Sequence, residues 1–317
     1  MNTEKPINKL IAEYTEQMDA KQYVQKNTHW VLQRFVTWMV RNNIDVRDPR
    51  RADIIHYKNS IISEYKTPTT VNRYLAPVRG FFHWLEDCGY YSNIAIGIKS
   101  PKDDRAFRRD YLKPEQIVQL LESIPTATIA GLRDYAMINL MVYIGLRRVE
   151  ILRLSVGDLL VNNDKFVLNI HRKGRTYKET VKIEYEVFEP IERYFIKRKS
   201  YTNSSPMFAN HSNHHTDKLS DVMVSAIVKR YLKQISNSKK LTCHSLRHSA
   251  AINLLNAGRS IYDVRDMLGH RNTQTTEIYL KAIEAERRFD NPAARDLIKL
   301  YKNDKKTANM ERFTTYK

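Results

Sequence analysis

The stretch KFVLNIHRKGRTYKETVKIE, residues 165–184, alternates apolar and polar residues, whereas the segments around it repeat at helical spacing. Alternation sends successive side chains to opposite faces, as in a strand. The central Lys173-Gly174 pair predicts two antiparallel strands joined by a tight turn. One such hairpin in a chain of helical periodicity implies a mainly α fold with a small antiparallel β-sheet.

The first hundred residues read as helices. In TPTTVNRYLAPVRGFFHWLEDCG, residues Val71, Tyr74, Leu75, Val78, Phe81, Phe82 and Leu85 form one stripe. Thr67 and Pro68 suit an N-cap and first helical residue, and Pro77 predicts a kink. A second stripe runs through Trp30, Val31, Phe35, Trp38 and Met39, and helices are also expected over 7–18 and 50–64. At 317 residues the chain is long enough for two domains. The expected division is a helical domain over 1–98, a charged linker over 99–109, and a second domain over 110–317. Arg105, Arg108 and Arg109 of the linker would track a phosphate backbone, or simply be solvated. In the second domain, helices are expected after Pro114, over LRDYAMINLMVYIG and RRVEILRLSVGDL, at Glu186, Ser220, His244 and Ser260, and through 282–301. The last sixteen residues read as a mobile basic tail.

Charge narrows the partner. Lys and Arg number 53 against 35 Asp and Glu, a formal charge of +18. That excess points to a polyanion, nucleic acid first and an anionic membrane surface second. The most apolar stretch, YAMINLMVYIGL, is too short to span a bilayer, and the amino terminus lacks a signal-peptide pattern. The two cysteines, Cys88 and Cys243, indicate no disulfide framework, so a cytoplasmic protein is expected.

Four clusters carry potential chemistry. GLRRVEIL places Arg147, Arg148 and Glu150 at a helix start, an anion site or an exposed charged turn. HRKGRTYK sets Lys173 between Arg172 and Arg175 at the hairpin tip, where lysine serves as a proton donor or only neutralises phosphate. HSLRHSAAINLLNAG puts His244 and Arg247 on one helix face. His244 and His248 have zinc-like spacing, but Ser245 stands where a metalloprotease needs glutamate, and Arg247 would repel a cation. His211, His214 and His215 lack a thiolate or carboxylate at ligand spacing and read as a polar loop, so no metal site is expected. LGHRNTQTTEIY ends a helix at Gly269, puts His270 in a turn and brings Tyr279 nine residues later. Tyr279 is one of nineteen tyrosines, and a core role is its default.

Together the clusters form a set. Breaking a phosphodiester without a metal requires cations for the non-bridging oxygens, a nucleophile and an acid for the leaving oxygen. Two arginines and two histidines suit the first, Tyr279 the second and Lys173 the third. No acidic two-metal motif appears in the sequence.

On these motifs the chain resembles the tyrosine recombinase family, the phage-type integrases and Xer-like site-specific recombinases. GLRRVEIL resembles the family's first catalytic block, and HSLRHSAAINLL followed by LGHRNTQTTEIY its second, with the hairpin lysine between them. The resemblance is strong over 110–285 and weaker over 7–95. It implies a SAM-like helical core-binding domain and an α+β catalytic domain that form a C-shaped clamp on DNA. Arg147 and Arg247 would bind phosphate, Glu150 would support Arg147, and Lys173 would be the general acid. His244 and His270 would assist proton transfer, and Tyr279 would form a 3′-phosphotyrosyl bond within its own subunit. No cofactor is implied. The expected partner is double-stranded DNA with inverted-repeat core sites. A homotetramer would act through a Holliday junction, and a monomer or dimer would exist without DNA. Arg105, Arg108, Arg109, Arg148, Arg172 and Arg175 are the expected additional DNA contacts. Ile144, Arg148 and Val149 depart from the commonest family pattern without removing a catalytic side chain. The lack of an extra arm-binding domain favours a recombinase needing core sites alone.

Two alternatives differ in testable ways. A type IB topoisomerase-like enzyme would act as a monomer without site preference, whereas a recombinase assembles a tetrameric synapse. A non-catalytic DNA-binding relative is disfavoured by the intact catalytic set.

Overall fold

The computed structural model describes residues 4–65, 67–102, 110–162, 165–211, 218–290 and 296–301. It divides into two compact units, Met1–Arg105 and Ala106–Lys317, so the cut falls inside the charged 99–109 stretch.

The first unit contains α1 (Ile7–Gln17), α2 (Gln22–Arg41), α3 (Arg51–Tyr65) and α4 (Pro68–Asp87). All seven stripe residues of α4 are buried, packed with Leu10, Leu32, Phe35, Ile54 and Tyr57. Removing such a stripe from water is the main stabilising term for an amphipathic helix. Pro77 denies the Arg73 carbonyl its helical donor, yet α4 is assigned as one helix from 68 to 87. Trp30 departs from the predicted stripe: it is 52% exposed while Leu32 is buried. The α2 register thus turns Leu32 to the core, and the Trp30 ring lies beside Tyr74 at 6.1 Å.

The second unit is mainly helical around one small sheet. Its elements are α5 (Pro114–Glu122), α6 (Ile129–Tyr143), α7 (Arg148–Ile151), β1 (Leu159–Asn162), β2 (Lys165–Ile170) and β3 (Glu179–Ile183). They are followed by α8 (Tyr185–Arg198), α9 (Asp221–Ile235), α10 (Cys243–Asn256), α11 (Ile261–Leu268) and α12 (Gln274–Asp290). Residues 296–301 are helical again. α6 is the centre of the core, with buried residues from Leu132 to Val142.

The sheet is antiparallel in the order β1-β2-β3, one strand more than the sequence suggested. The expected tight turn is an eight-residue connection, 171–178, in which Gly174 has φ +84°. The expected helix over RRVEILRLSVGDL shrinks to the single turn of α7 and a 3-10 turn at Val156–Asp158. Here tertiary pairing overrides helical propensity. The Leu154 carbonyl accepts from Met207 N–H and Val156 N–H donates to the Ser205 carbonyl, so the backbone is taken by a distant strand-like segment. α12 begins at Gln274 rather than 282, which puts Tyr279 on its second turn.

Candidate active site

Glu150 is the organising group. Fully buried, it accepts from Arg147 N–H at 2.9 Å, Arg147 Nη1 at 2.7 Å and Lys173 N–H at 3.1 Å. Arg147 precedes α7 with an extended backbone, and Glu150 at the third helical position reaches back to accept from the Arg147 N–H, which is one half of a capping box. Burial alone would raise the Glu150 carboxyl. The Arg147 N–H, the Arg147 charge and the Lys173 N–H outweigh it and hold the group below the usual range.

Arg247, 3% exposed on α10, donates to the carbonyls of Gly145 and, at 2.7 Å, Leu268. It thereby ties the segment before α7 to the end of α11. Gly145 has φ +66°, and a Cβ there would lie 2.6 Å from Leu268 Cδ2, so this close approach requires glycine. Burial, then the like charge of Arg147, push Arg247 down to about 9, which leaves it cationic at neutral pH. Two guanidinium groups held together in this way favour an anion between them.

His270 follows Gly269, which ends α11 in the left-handed conformation at φ +63°. Its Nδ1 pairs with Thr276 Oγ1 at 2.8 Å. Burial and the charges of Arg247 and Arg147 lower its pKa to about 4, so the imidazole is neutral at pH 7. His211, bonded through Nε2 to Tyr194 Oη at 2.8 Å, is also lowered to about 4 by burial and then Arg133. Both histidines bind protons more readily when unfolded. Their contribution to stability is therefore complete above pH 6.5 and lost as pH falls toward 4. Thermal unfolding from pH 7 to 4 should show a falling Tm, and a combined His211→Gln, His270→Gln variant should show a shallower fall. An unchanged slope would exclude these two groups as the source.

Tyr279, 2% exposed, packs with Ile252, Leu255, Val264 and Leu268. Its Oη pairs with His248 Nδ1 at 2.8 Å, so the phenol is anchored to the helix that carries Arg247. Sequence reasoning considered His248 only as a metal ligand. Its usable signal was position: it lies one turn beyond His244 and next to Arg247, on the same α10 face. Exposed His244 has its ring 6.4 Å from that of His248. Thr276, which holds His270, was also missed and carries no sequence signal of its own.

The structure separates the adjacent cations. Arg147 faces Glu150, whereas Arg148 turns to α9, with Nε 2.6 Å from Asp221 and Nη1 on Ser225 Oγ. The expected DNA role of Arg148 therefore competes with an ion pair inside the fold. Arg172, expected to contact DNA, is 1% exposed, so its guanidinium is turned into the fold. Arg175 lies on the hairpin, bonded to Tyr177 Oη at 2.8 Å and paired with Glu179 at 3.1 Å, while Lys173 is exposed. Arg105, Arg108, Arg109, His214 and His215 fall outside the described residues. Among the described residues, no cluster of three His, Cys, Asp or Glu is arranged to hold a metal ion. No helix among them is long and apolar enough to cross a membrane.

Comparison with known proteins identifies the family. The phage integrase family matches residues 110–286. A tyrosine recombinase XerD of Listeria monocytogenes is 30% identical over 287 residues, 86% of this chain and 94% of the relative. A tyrosine recombinase XerC of Herpetosiphon aurantiacus is 31% identical over 255 residues, covering 78% and 81%. In fold, the chain is similar to a XerH site-specific recombinase bound to a palindromic difH substrate. There the TM-score is 0.71 at 18% identity, over 92% of each chain. A lambda integrase tetramer bound to a Holliday junction gives a TM-score of 0.68 at 16% identity, over 88% of this chain and 78% of the integrase. With the helical units, the three-stranded sheet and the arginine–glutamate–histidine–tyrosine assembly in place, these matches establish that the chain belongs to the phage integrase family and is a tyrosine-type site-specific recombinase.

Proposed function

We propose that the chain cuts and rejoins double-stranded DNA at inverted-repeat core sites through a 3′-phosphotyrosyl intermediate. In this reading Arg147 and Arg247 bind the non-bridging oxygens of the scissile phosphate, with Glu150 holding Arg147. Tyr279 attacks phosphorus, Lys173 protonates the departing 5′ oxygen, and His244 and His270 assist. The neutral state of His270 suits it to donate one hydrogen bond without adding a further charge to the arginine pair. The 5′ hydroxyl of a partner strand then reverses the attack, so no external energy source enters. The observation that carries the reading is the convergence of segments far apart in sequence. Glu150 bonds Lys173, Arg247 bonds Gly145 and Leu268, and His248 of α10 bonds Tyr279 of the same chain.

The relatives' descriptions support the assembly. A lambda integrase is known as a tetramer on a Holliday junction. For this chain we propose a homotetramer in the synapse and a monomer or dimer without DNA, acting in the cytoplasm. Side chains would neutralise the phosphoryl charge. We assign backbone contacts to Lys173 and Arg175, exposed and partly exposed on the hairpin, and the linker arginines are candidates for the same role.

The test is a nicked suicide substrate carrying the core site, resolved on a denaturing gel. A covalent adduct and, on intact sites, Holliday junctions are expected. Relaxation of plasmids without the site by a monomer would instead favour a topoisomerase.

A further inference from the structure

Arg172 sits immediately before Lys173, yet its environment is unlike that of the other hairpin cations. It is 1% exposed, and its Nη2 donates to the Met267 carbonyl at 3.0 Å in the last turn of α11, the negative end of that helix. Glu179 Oε1 lies 3.4 Å from Nη2 and Glu150 Oε2 3.7 Å from Nη1. The fit is close: a Cβ on Gly269 would stand 2.7 Å from Arg172 Nε. On the other side of the lysine, Arg271 Nη2 donates to the Gly174 carbonyl at 2.6 Å. Residues 172–174 are thus strapped on both sides to the turn that carries His270.

Stability alone does not account for an arginine here. Burying a guanidinium is costly, and a well-packed apolar side chain in place of a buried ion pair is often neutral or stabilising. Nε and Nη1 also lack a hydrogen-bond partner among the described residues, which adds to the cost. What the arginine supplies is direction, since a rigid fork contacts α11, β3 and Glu150 at once. Glu150 in turn bonds both Arg147 and the Lys173 N–H.

We propose that Arg172 is a positioning residue. By tying the base of the Lys173 turn to Met267 and Glu150, it delivers the Lys173 ammonium to the leaving oxygen in register with Arg147 and His270. The proposal rests on the reading of Lys173 as the general acid. In cleavage, the bond from Tyr279 oxygen to phosphorus forms as the bond from phosphorus to the 5′ oxygen breaks. Lys173 Nζ gives its proton to that oxygen. With sulfur in place of the bridging 5′ oxygen, the leaving thiolate is stable without a proton. A residue that acts only by placing the acid becomes dispensable on the sulfur substrate.

The experiment measures single-turnover cleavage by the full chain on matched oxygen and sulfur suicide substrates. DNA affinity and thermal unfolding are measured alongside. Lys173→Ala should be slow on oxygen and near wild type on sulfur. If sulfur does not rescue it, the Lys173 reading fails, and the proposal with it. Given that rescue, Arg172→Met should lose about 100-fold on oxygen, the effect of displacing a catalytic group by roughly 1 Å. It should recover to within a few fold on sulfur with DNA affinity retained. Equal loss on both substrates, or no loss on oxygen, overturns the role of Arg172 while leaving Lys173 as the acid. If Arg172→Met does not fold, Arg271→Ala, at an exposed position, removes the opposite strap. It should show a smaller oxygen-specific defect with the same sulfur rescue, and a defect equal on both substrates overturns the proposal.

Discussion

Tyr279→Phe is expected to abolish the covalent protein–DNA adduct while leaving affinity for the core site within a few fold of wild type. Only one oxygen is removed. The ring keeps its packing against Ile252, Leu255, Val264 and Leu268, so the helix that carries it should stay in place. The lost hydrogen bond to His248 costs about 1 kcal/mol, too little to unfold a domain of this size. Under the proposed role of Tyr279, by contrast, loss of its hydroxyl removes the nucleophile that forms the phosphotyrosyl bond. A denaturing gel on the suicide substrate checks this, with a mobility-shift assay for binding. An adduct that persists in the variant would show that another residue attacks phosphorus.

The second large effect concerns Glu150. Glu150→Ala should destabilise the second unit by roughly 3–5 kcal/mol, because removing one partner leaves buried cations uncompensated. Arg147 would lose its side-chain partner at 2.7 Å, and Arg172 one of its two carboxylates. The Lys173 N–H would also lose its acceptor. Glu150→Gln retains an acceptor and shape but no charge, so it should fall between wild type and Ala in denaturant unfolding. A loss under about 1 kcal/mol for Ala, within the range of an exposed ion pair, would mean that water reaches the site and screens these charges. Both variants should also slow cleavage, since a misplaced Arg147 weakens the charge stabilisation that typically contributes 10²–10³ in rate.

The residues of the candidate site were legible as a set because the proposed chemistry restricts residue type. A tyrosine nucleophile, a lysine acid and paired arginines leave few combinations, and GLRRVEIL, HSLRHSAAINLL and LGHRNTQTTEIY carry them in order. The cations that the sequence could not tell apart share one cause. HRKGR presents three cations within four positions, and nothing local distinguishes Arg172 from Arg175. The first is buried against the Met267 carbonyl, 95 residues further along the chain, and the second pairs within its own hairpin. In the same way Arg148 was separated from Arg147 by Asp221 and Ser225 of α9. The shortened α7 reflects pairing of Leu154 and Val156 with residues 205–207, a contact no helical period announces.

By itself, then, the sequence determined the helical stripes of the first unit, one β-hairpin in a helical second unit, and the inventory of groups able to act on a phosphodiester. Local spacing suffices for these, because helix faces and strand alternation depend on residues a few positions apart. Only the tertiary structure decided which cations pair with which carboxylates, that His248 anchors Tyr279, and that Arg172 lies beneath the lysine turn. Those outcomes depend on which carboxylate or carbonyl a long side chain meets after folding, and those partners come from segments tens of residues away.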